Sequence, residues 1–155
     1  MPGPFRTPAE AEAAFYDAIE RCDLAALAEV WARRDEVICV HPGTDRIEGR
    51  AAVLDSFARM FAGDARLAFE IVDVTVAGTD GLAVHHARER IRLAGRLAGV
   101  MTATNVYVLE SEGWRLLVHH ASHESGSPLD AGSDEGDGTD GAEAPEPVPA
   151  GRTLH

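Results

Sequence analysis

The fold is decided by residues 67–123, which read LAFEIVDVTVAGTDGLAVHHARERIRLAGRLAGVMTATNVYVLESEGWRLLVHHASH. Four segments of this stretch, 67–76, 82–93, 100–109 and 114–123, are rich in strand-forming residues, and short glycine-containing breaks separate them. Consecutive strands joined by short breaks predict an antiparallel meander. Each predicted strand is about twice the usual ~5–6 residues, and long antiparallel strands twist and curl.

Helices precede this predicted sheet. The sequence Thr7-Pro8-Ala9-Glu10 fits a capping box with proline at the first helical position, and Asp23 is suited to cap a second helix. Residues 50–61 carry apolar residues at helical spacing, which predicts a third helix. A short β-rich run at 37–41 stops at the turn pair Pro42-Gly43. Helices before strands predict an α+β layer fold, a cone in which helices cross the concave face of a curled sheet and enclose a ligand site.

Composition limits the class of protein. The chain of 155 residues has the length of one domain, a net charge of −12, and basic residues that are all arginine. The absence of lysine excludes Schiff-base chemistry and a phosphate-binding P-loop, and the negative charge disfavours nucleic acid and anionic membranes as partners. Cys22 and Cys39 are expected to be reduced. Since no apolar run reaches the length of a membrane span and no signal-like segment begins the chain, we expect a cytoplasmic protein.

The composition changes near residue 125. Residues 125–155 contain seven acidic residues, one basic residue, six glycines and four prolines. A segment with so few large apolar residues cannot bury enough surface to offset its ordering entropy, so we predict a disordered acidic tail. The folded domain is therefore predicted to span residues 1–124.

Several short motifs in the predicted domain resemble the nuclear transport factor 2-like superfamily and, within it, the SnoaL-like domains related to ketosteroid isomerases. In chain order the motifs are Ala14-Phe15-Tyr16, Asp23-Leu24, Val40-His41-Pro42-Gly43, Gly49-Arg50, Thr104-Asn105-Val106-Tyr107, and Trp114 with His120-Ala121-Ser122. The resemblance covers residues 8–124 and implies the cone-shaped α+β fold. It does not specify a reaction, because this superfold hosts isomerases, cyclases, dehydratases, assembly domains and non-catalytic binders.

The resemblance also implies a site. It places a base at His41, where the steroid isomerases have an aspartate directly before a proline. Phe15 occupies the position of their oxyanion tyrosine, and Asn105 occupies that of their protonated acid. Since phenylalanine cannot donate a hydrogen bond, half of that oxyanion site is missing and steroid isomerisation is not expected. Trp31 and Phe57 stand at the positions of the supporting tyrosines, and with Phe15 they are expected to form an apolar pocket wall.

Period-two alternation assigns the remaining strand residues to faces. The alignment that the resemblance implies turns the His120 face of the last strand, and the Asn105 face of the preceding strand, into the cone. On strand 82–93 it favours the even-numbered residues, although a single bulge would bring His85 and Glu89 inward instead. The residues predicted to point inward are Val84, His86, Arg88, Met101, Asn105, Tyr107, Val118, His120 and Ser122.

The leading functional hypothesis is an acid/base enzyme of isomerase, cyclase or dehydratase type, acting on a small apolar carbonyl or hydroxyl compound. His41 would move the proton, while Asn105 and His120 would stabilise an oxygen. No organic cofactor is implied, and no metal is expected because His119 and His123 lack an obvious third ligand. The alternatives are a non-catalytic ligand-binding module and an assembly domain. Apolar residues on both faces of the last strand also predict a homodimer through the outer face of the sheet.

Overall fold

A computed structural model of the protein describes residues 5–126, so most of the predicted acidic tail lies outside the described residues. The described chain forms three helices and one open six-stranded sheet. The helices are α1 (Pro8–Glu20), α2 (Leu24–Val30) and α3 (Arg50–Phe61). The strands are β1 (Ile38–Val40), β2 (Ile47–Glu48), β3 (Leu67–Gly78), β4 (Leu82–Leu93), β5 (Arg96–Glu110) and β6 (Gly113–His123).

The N-termini of α1 and α2 are capped as the sequence predicts. Thr7 Oγ1 accepts a hydrogen bond from the backbone N–H of Glu10 at 3.1 Å, and the Asp23 carboxylate accepts one from Ala26 at 3.0 Å. The third helix, whose bounds agree with the prediction, follows Gly49 without a capping side chain. Gly49 has a φ of +92°, a left-handed conformation that glycine adopts at little cost.

The sheet has the strand order β2-β1-β6-β5-β4-β3, and its four long strands form the predicted antiparallel meander. The sheet is mixed rather than wholly antiparallel, because β1 pairs in parallel with β6. Strand β2, which was not predicted from the sequence, pairs antiparallel with β1 at the sheet edge. Its two residues are too few to show a period-two alternation.

The faces of β4 are the reverse of those that the resemblance implied. Its buried residues are the odd-numbered ones: Ala83, His85, Ala87, Glu89 and Ile91. The prediction that Val84, His86 and Arg88 point inward is wrong, since the last two are exposed and all three lie on the outer face. Polar residues occur on both faces of β4, so the polarity of the side chains could not show which face is buried. Hydrogen bonds from α1 to His85 and Glu89 offset the cost of burying these two side chains.

A bulge in β6 displaces its alternation by one residue. Leu116 pairs with Tyr107 on β5, whereas Val118 pairs with Val106, so Leu117 is an extra residue between the two pairs. Because side chains alternate with a period of two, one inserted residue exchanges the inner and outer faces of the strand.

This bulge overturns the predicted faces of the second half of β6. Downstream of it, His119 and Ala121 are the buried residues, although the alternation assigned them to the outer face. The residues wrongly predicted to line the cone are Val118, His120 and Ser122. They lie on the outer face of the sheet instead.

Branched apolar residues form a continuous row across this outer face. Val84 pairs with Val106, Val106 with Val118, and Val118 with Ile38, so that the row crosses β4, β5, β6 and β1. Each of these side chains is only half-buried in the single chain. The outer face therefore presents apolar surface on the side of the sheet opposite the buried core.

Arg50, the first residue of α3, ties this helix to the C-terminal end of α2. Its Nη1 donates to the carbonyl of Trp31 at 3.2 Å, and its Nη2 donates to that of Ala28 at 2.8 Å. Arg50→Met is expected to lower the free energy of unfolding by about 1–3 kcal/mol, because two charge-assisted hydrogen bonds to helix-end carbonyls are lost. Urea unfolding followed by circular dichroism measures this difference.

Arg59→Met on the same helix is the matched control. Arg59 is exposed and forms a surface ion pair with Asp55 one turn earlier, so its loss is expected to cost less than about 0.5 kcal/mol. Equal destabilisation by the two substitutions would show that the hydrogen bonds of Arg50 to α2 contribute nothing specific.

Candidate active site

A small cavity with a volume of about 60 Å³ lies between the helices and the inner face of the sheet. Its walls are mostly apolar and include Ile19, Phe57, Met60, Leu67, Phe69 and Ile91. Three ionisable side chains also line it: His41, Glu89 and His119. Because ionisable groups in an apolar cavity are poorly solvated, these three are the candidates for chemistry.

Two larger concavities lie at the surface, with volumes of about 320 and 300 Å³. The first is lined by residues 35–38 and Glu48, and the second by Arg33, residues 110–112 and Arg115. Five of these ten residues, Arg33, Asp35, Glu36, Glu48 and Glu112, are both charged and exposed, so water solvates them in the ordinary way. We therefore place the candidate site in the smaller cavity, where ionisable groups are removed from water.

A chain of hydrogen bonds connects two of the three ionisable residues through the protein interior. His119 Nδ1 donates to Asn105 Oδ1 at 2.6 Å, and Asn105 Nδ2 donates to the Tyr16 hydroxyl at 3.0 Å. Tyr16 then donates to Glu89 Oε2 at 2.6 Å. All four side chains are buried, and every donor in the chain points towards Glu89. Both ends of the chain, His119 and Glu89, line the cavity.

Glu89 is a carboxyl group in a poorly solvated position, only 2% exposed. Burial raises the pKa of Glu89 from 4.5 to about 7; the hydrogen bond from Tyr16 opposes this rise, and the negative charge of Glu12 adds to it. The protonated and ionised forms are therefore both populated near neutral pH. A group in this state can remove a proton from a substrate and can also return it.

His119 is held in its neutral form. Burial, and secondarily the positive charges of His41 and His120, lower the pKa of His119 to about 3. Because Nδ1 donates its hydrogen to Asn105, Nε2 carries the lone pair, and no side chain within residues 5–126 forms a hydrogen bond with Nε2. His119 thus offers a hydrogen-bond acceptor to a ligand in the cavity.

His41 is positioned by a serine of α3. Ser56 Oγ donates to the carbonyl of Val53 at 2.7 Å, so it accepts from His41 Nε2 at 3.0 Å. Nδ1 is then the unprotonated nitrogen of the neutral ring, and burial lowers the pKa of His41. The nearby Cys39 is not a thiolate nucleophile, because burial raises its pKa to about 12.

A second buried network lies beside the first. Glu12 Oε2 accepts hydrogen bonds from the Tyr107 hydroxyl and from His85 Nδ1, both at 2.9 Å. Glu12 precedes Tyr16 by four residues on α1, so successive turns of one helix face supply one residue to each network. Glu12, His85 and Tyr107 do not line the cavity. Their contacts fix α1 on β4 and β5 and thereby hold Tyr16 against Glu89.

The residues predicted from the sequence fall into three groups. His41, Phe57 and Glu89 line the cavity. A second group is buried around the cavity without lining it: Phe15, Trp31, His85, Met101, Asn105 and Tyr107. The third group lies on the outer face of the sheet: Val84, His86, Arg88, Val118, His120 and Ser122. His120 therefore does not meet His41 and Asn105 at a common site, and its neighbour His119 takes that position.

Three residues of these networks, Glu12, Tyr16 and His119, were not among the site residues predicted from the sequence. Glu12, Tyr16 and Ile19 share one buried stripe of α1 at the i, i+4, i+7 spacing, which is a signal that could have placed them inside. His119 had no comparable signal, because nothing in the local sequence marks the bulge at Leu117 that turns it inward.

Residues 5–126 contain neither a metal-binding cluster nor a helix suited to span a membrane. In this part of the chain, no group of three or more histidine, cysteine or acidic side chains is arranged to hold a metal ion. The same residues include no helix that is both long and apolar enough to cross a membrane.

Residues 9–124 match the family model of the SnoaL-like domain. The protein belongs to the SnoaL-like family. This match confirms the resemblance inferred from the sequence motifs, and it covers all the helices and strands except the first residue of α1. No curated protein matches this SnoaL-like chain.

Solved structures of related proteins share the fold of this SnoaL-like domain. A putative calcium/calmodulin-dependent protein kinase type II association domain from Thiobacillus denitrificans is 35% identical, with a TM-score of 0.74 over 79% of this chain and 98% of that chain. A putative dehydratase of the nuclear transport factor 2-like family from Streptomyces avermitilis is also 35% identical, with a TM-score of 0.69 over 75% and 92% of the two chains. A putative ketosteroid isomerase from Parabacteroides distasonis, at 20% identity and a TM-score of 0.64 over 78% and 90%, shows the fold alone.

Proposed function

We propose that this SnoaL-like protein is a proton-transfer enzyme of isomerase or dehydratase type, acting on a small apolar compound that carries a carbonyl and a hydroxyl group. The observation that carries the proposal is Glu89, a buried carboxyl group in an apolar cavity whose pKa is raised to about 7. The proton carrier is therefore Glu89 rather than His41, the residue that the sequence favoured. The reaction needs no organic cofactor or metal.

Glu89 performs the proton transfer in two steps. Its ionised form removes a proton from the carbon next to the substrate carbonyl and leaves an enolate, and its protonated form then returns this proton to the same or a neighbouring carbon. Where the substrate carries a β-hydroxyl group, the proton is delivered to that oxygen instead, the carbon–oxygen bond breaks and water leaves. Tyr16 keeps its hydrogen bonds to Glu89 and Asn105 during these steps and fixes the orientation of the carboxyl group.

The two histidines orient the substrate through its hydroxyl group. His119 presents an unprotonated Nε2, and His41 has an unprotonated Nδ1 when its Nε2–H is bonded to Ser56. Unprotonated nitrogens accept hydrogen bonds, so they suit a hydroxyl donor and not a carbonyl oxygen. The carbonyl group binds neither histidine; the carbon next to it faces the ionised carboxylate of Glu89, which takes the α-proton. A hydroxyketone satisfies both requirements in one small molecule.

A relative supports the chemical class without specifying the substrate. The Streptomyces avermitilis protein, named as a putative dehydratase, is 35% identical over 75% of this chain. A dehydratase uses the proton removal and hydroxyl departure described for Glu89. The apolar lining of the cavity is consistent with an uncharged substrate.

Deuterium exchange tests the proposal without knowledge of the natural substrate. Hydroxyacetone and 4-hydroxy-2-butanone are incubated with the protein in D₂O at neutral pH, and NMR follows loss of the α-protons and formation of an enone. We expect exchange, dehydration or both to exceed the rate without protein. If these compounds bind, as judged by line broadening, but react no faster than in buffer, the protein is a ligand-binding module.

We propose dimeric assembly through the outer face of the sheet as a second function of the same chain. Two observations favour it: the half-buried row formed by Ile38, Val118, Val106 and Val84, and the 35% identity to a putative association domain. A second copy packed on this face would remove the row from water. Assembly and catalysis would use opposite faces of the sheet, so neither excludes the other.

A further inference from the structure

A second cavity, with a volume of about 50 Å³, lies directly beside the candidate active site. Its lining consists of Ile19, Cys22, Met60, Phe61, Ala65 and Leu67. None of these side chains is charged. Ile19, Met60 and Leu67 also line the first cavity, so the same three side chains form the wall between the two.

Met60 is the movable part of this wall. It lies in the last turn of α3 and is 37% exposed, whereas Ile19 is only 7% exposed. A methionine side chain is unbranched and adapts its rotamers readily. Because Met60 borders solvent, its rotation does not require the core to repack. The wall between the two cavities can therefore open without disturbing the fold.

We infer that the two cavities form one elongated binding site, in which the polar head of the substrate meets Glu89 and His119 and an unbranched alkyl tail passes Met60 into the second cavity. The inference rests on the proposed function for the identity of the polar head. It adds the shape of the substrate, a hydroxyketone with an aliphatic tail, and it assigns Met60 as a residue that determines specificity.

The dimensions of the site favour an extended ligand. The two cavities, at about 60 and about 50 Å³, are each far below the ~300 Å³ at which typical ligand pockets begin, so an extended ligand must occupy both and displace Met60 towards solvent. The second cavity continues the apolar wall through shared residues, whereas His41, Glu89 and His119 are confined to the first. An aliphatic tail gains from this lining because each buried methylene strengthens binding about fourfold.

The test is a chain-length series of 1-hydroxy-2-butanone, 1-hydroxy-2-hexanone and 1-hydroxy-2-octanone, with dissociation constants from isothermal titration calorimetry. The wild type is expected to bind more tightly by about fourfold per added methylene. Ala65→Phe places a ring in the second cavity and is expected to abolish this gain while leaving the butanone affinity unchanged. Ala68→Phe is the matched control, because Ala68 is exposed on the outer side of β3, opposite Arg92. The Ala68→Phe variant should retain the full rise in affinity with chain length.

Labelling of Cys22 gives a second readout that needs no variant. Cys22 lines the second cavity and is partly exposed, whereas Cys39 is buried. Saturating 1-hydroxy-2-octanone is expected to slow the reaction of Cys22 with a maleimide, and saturating 1-hydroxy-2-butanone is expected to leave its rate unchanged.

The outcomes separate this inference from the proposed function. If the short hydroxyketone binds and exchanges its protons but affinity does not rise with chain length, the elongated site is wrong and the proposed function stands. An Ala65→Phe variant that keeps the full chain-length gain also overturns the elongated site. If no member of the series binds, the head-group assignment to Glu89 and His119 is wrong, and the elongated site is rejected with it.

Discussion

Glu89→Gln is expected to slow the α-proton exchange of a bound hydroxyketone by about 10²–10⁴-fold while the protein stays folded. Glutamine has nearly the shape of a protonated glutamate, and its amide oxygen still accepts the hydrogen bond that Tyr16 donates to Oε2 at 2.6 Å. It cannot take up a proton, so the reaction loses its base. The wild-type rate, followed by NMR in D₂O, is expected to rise with pH as the pKa of about 7 is passed.

The same substitution is expected to change how stability depends on pH. The pKa of Glu89 in the folded protein, about 7, lies above the usual 4.5, so folding favours the protonated carboxyl group. The contribution of Glu89 to the free energy of unfolding is therefore largest at low pH, and it is lost as the pH rises through about 7. Between about pH 4.5 and pH 9, the wild type should therefore lose about 3 kcal/mol of unfolding free energy relative to the glutamine variant. Urea titrations at the two pH values measure this difference.

Glu70→Gln on the neighbouring strand provides the control for both effects. Glu70 is exposed and forms an ion pair with Arg90 on the surface, so its replacement should change neither the exchange rate nor the pH dependence of stability. Exchange at the wild-type rate in Glu89→Gln would remove Glu89 from the mechanism. An equal loss of exchange in the Glu70 variant would point to a general effect of charge.

The parts of the fold that depend on local pattern could be predicted from the sequence. The capping residues Thr7 and Asp23 act through hydrogen bonds to N–H groups three residues away, so their signal is contained in a few letters. The bounds of α3 and β4 follow from apolar spacing and from the glycines that flank them. Such elements are decided largely by their own sequence, with tertiary contacts adding stability.

The faces of β4 and β6 could not be predicted in this way. Which face of a strand is buried depends on what packs against it, and both faces of β4 carry histidine and charged residues. Glu89 is buried because Tyr16, 73 residues away in sequence, donates a hydrogen bond to it. The inward turn of His119 depends on the bulge at Leu117, which is a property of the pairing between β5 and β6. Long-range partners of this kind leave little trace in the local pattern.

The inner face of β4 shows how the fold accommodates a buried acid. Small residues, Ala83 and Ala87, alternate with the polar residues His85 and Glu89 along this face. Small residues leave space for a helix to approach closely, and side chains of α1 reach both polar residues of β4 with hydrogen bonds. The acid is thus buried with a partner, but burial still raises its pKa to about 7. The raised pKa has two consequences. Ionised Glu89 lowers the stability of the protein above about pH 7, and Glu89 can take up and release a proton near neutral pH.

Val106→Arg is expected to convert the proposed dimer into monomers. Val106 stands in the middle of the outer row, between Val84 and Val118 on the two neighbouring strands. In a two-fold symmetric interface each substitution occurs twice, so two guanidinium groups would be buried without partners. An uncompensated buried charge costs about 3–5 kcal/mol, so even one of the two weakens the dimer by about 10²–10⁴-fold. Sedimentation velocity over a range of protein concentrations measures this change.

Ala51→Arg is the control for added charge, because Ala51 is exposed on α3, on the opposite side of the sheet from this row. It should leave the dimer intact. A wild-type protein that sediments as a monomer at micromolar concentration, or a Val106→Arg variant that dimerises normally, contradicts assembly through this face. The exchange assay on the Val106→Arg monomer then separates the two functions. Since one chain supplies His41, Glu89 and His119 to the cavity, the monomer is expected to keep its proton exchange even when it no longer assembles.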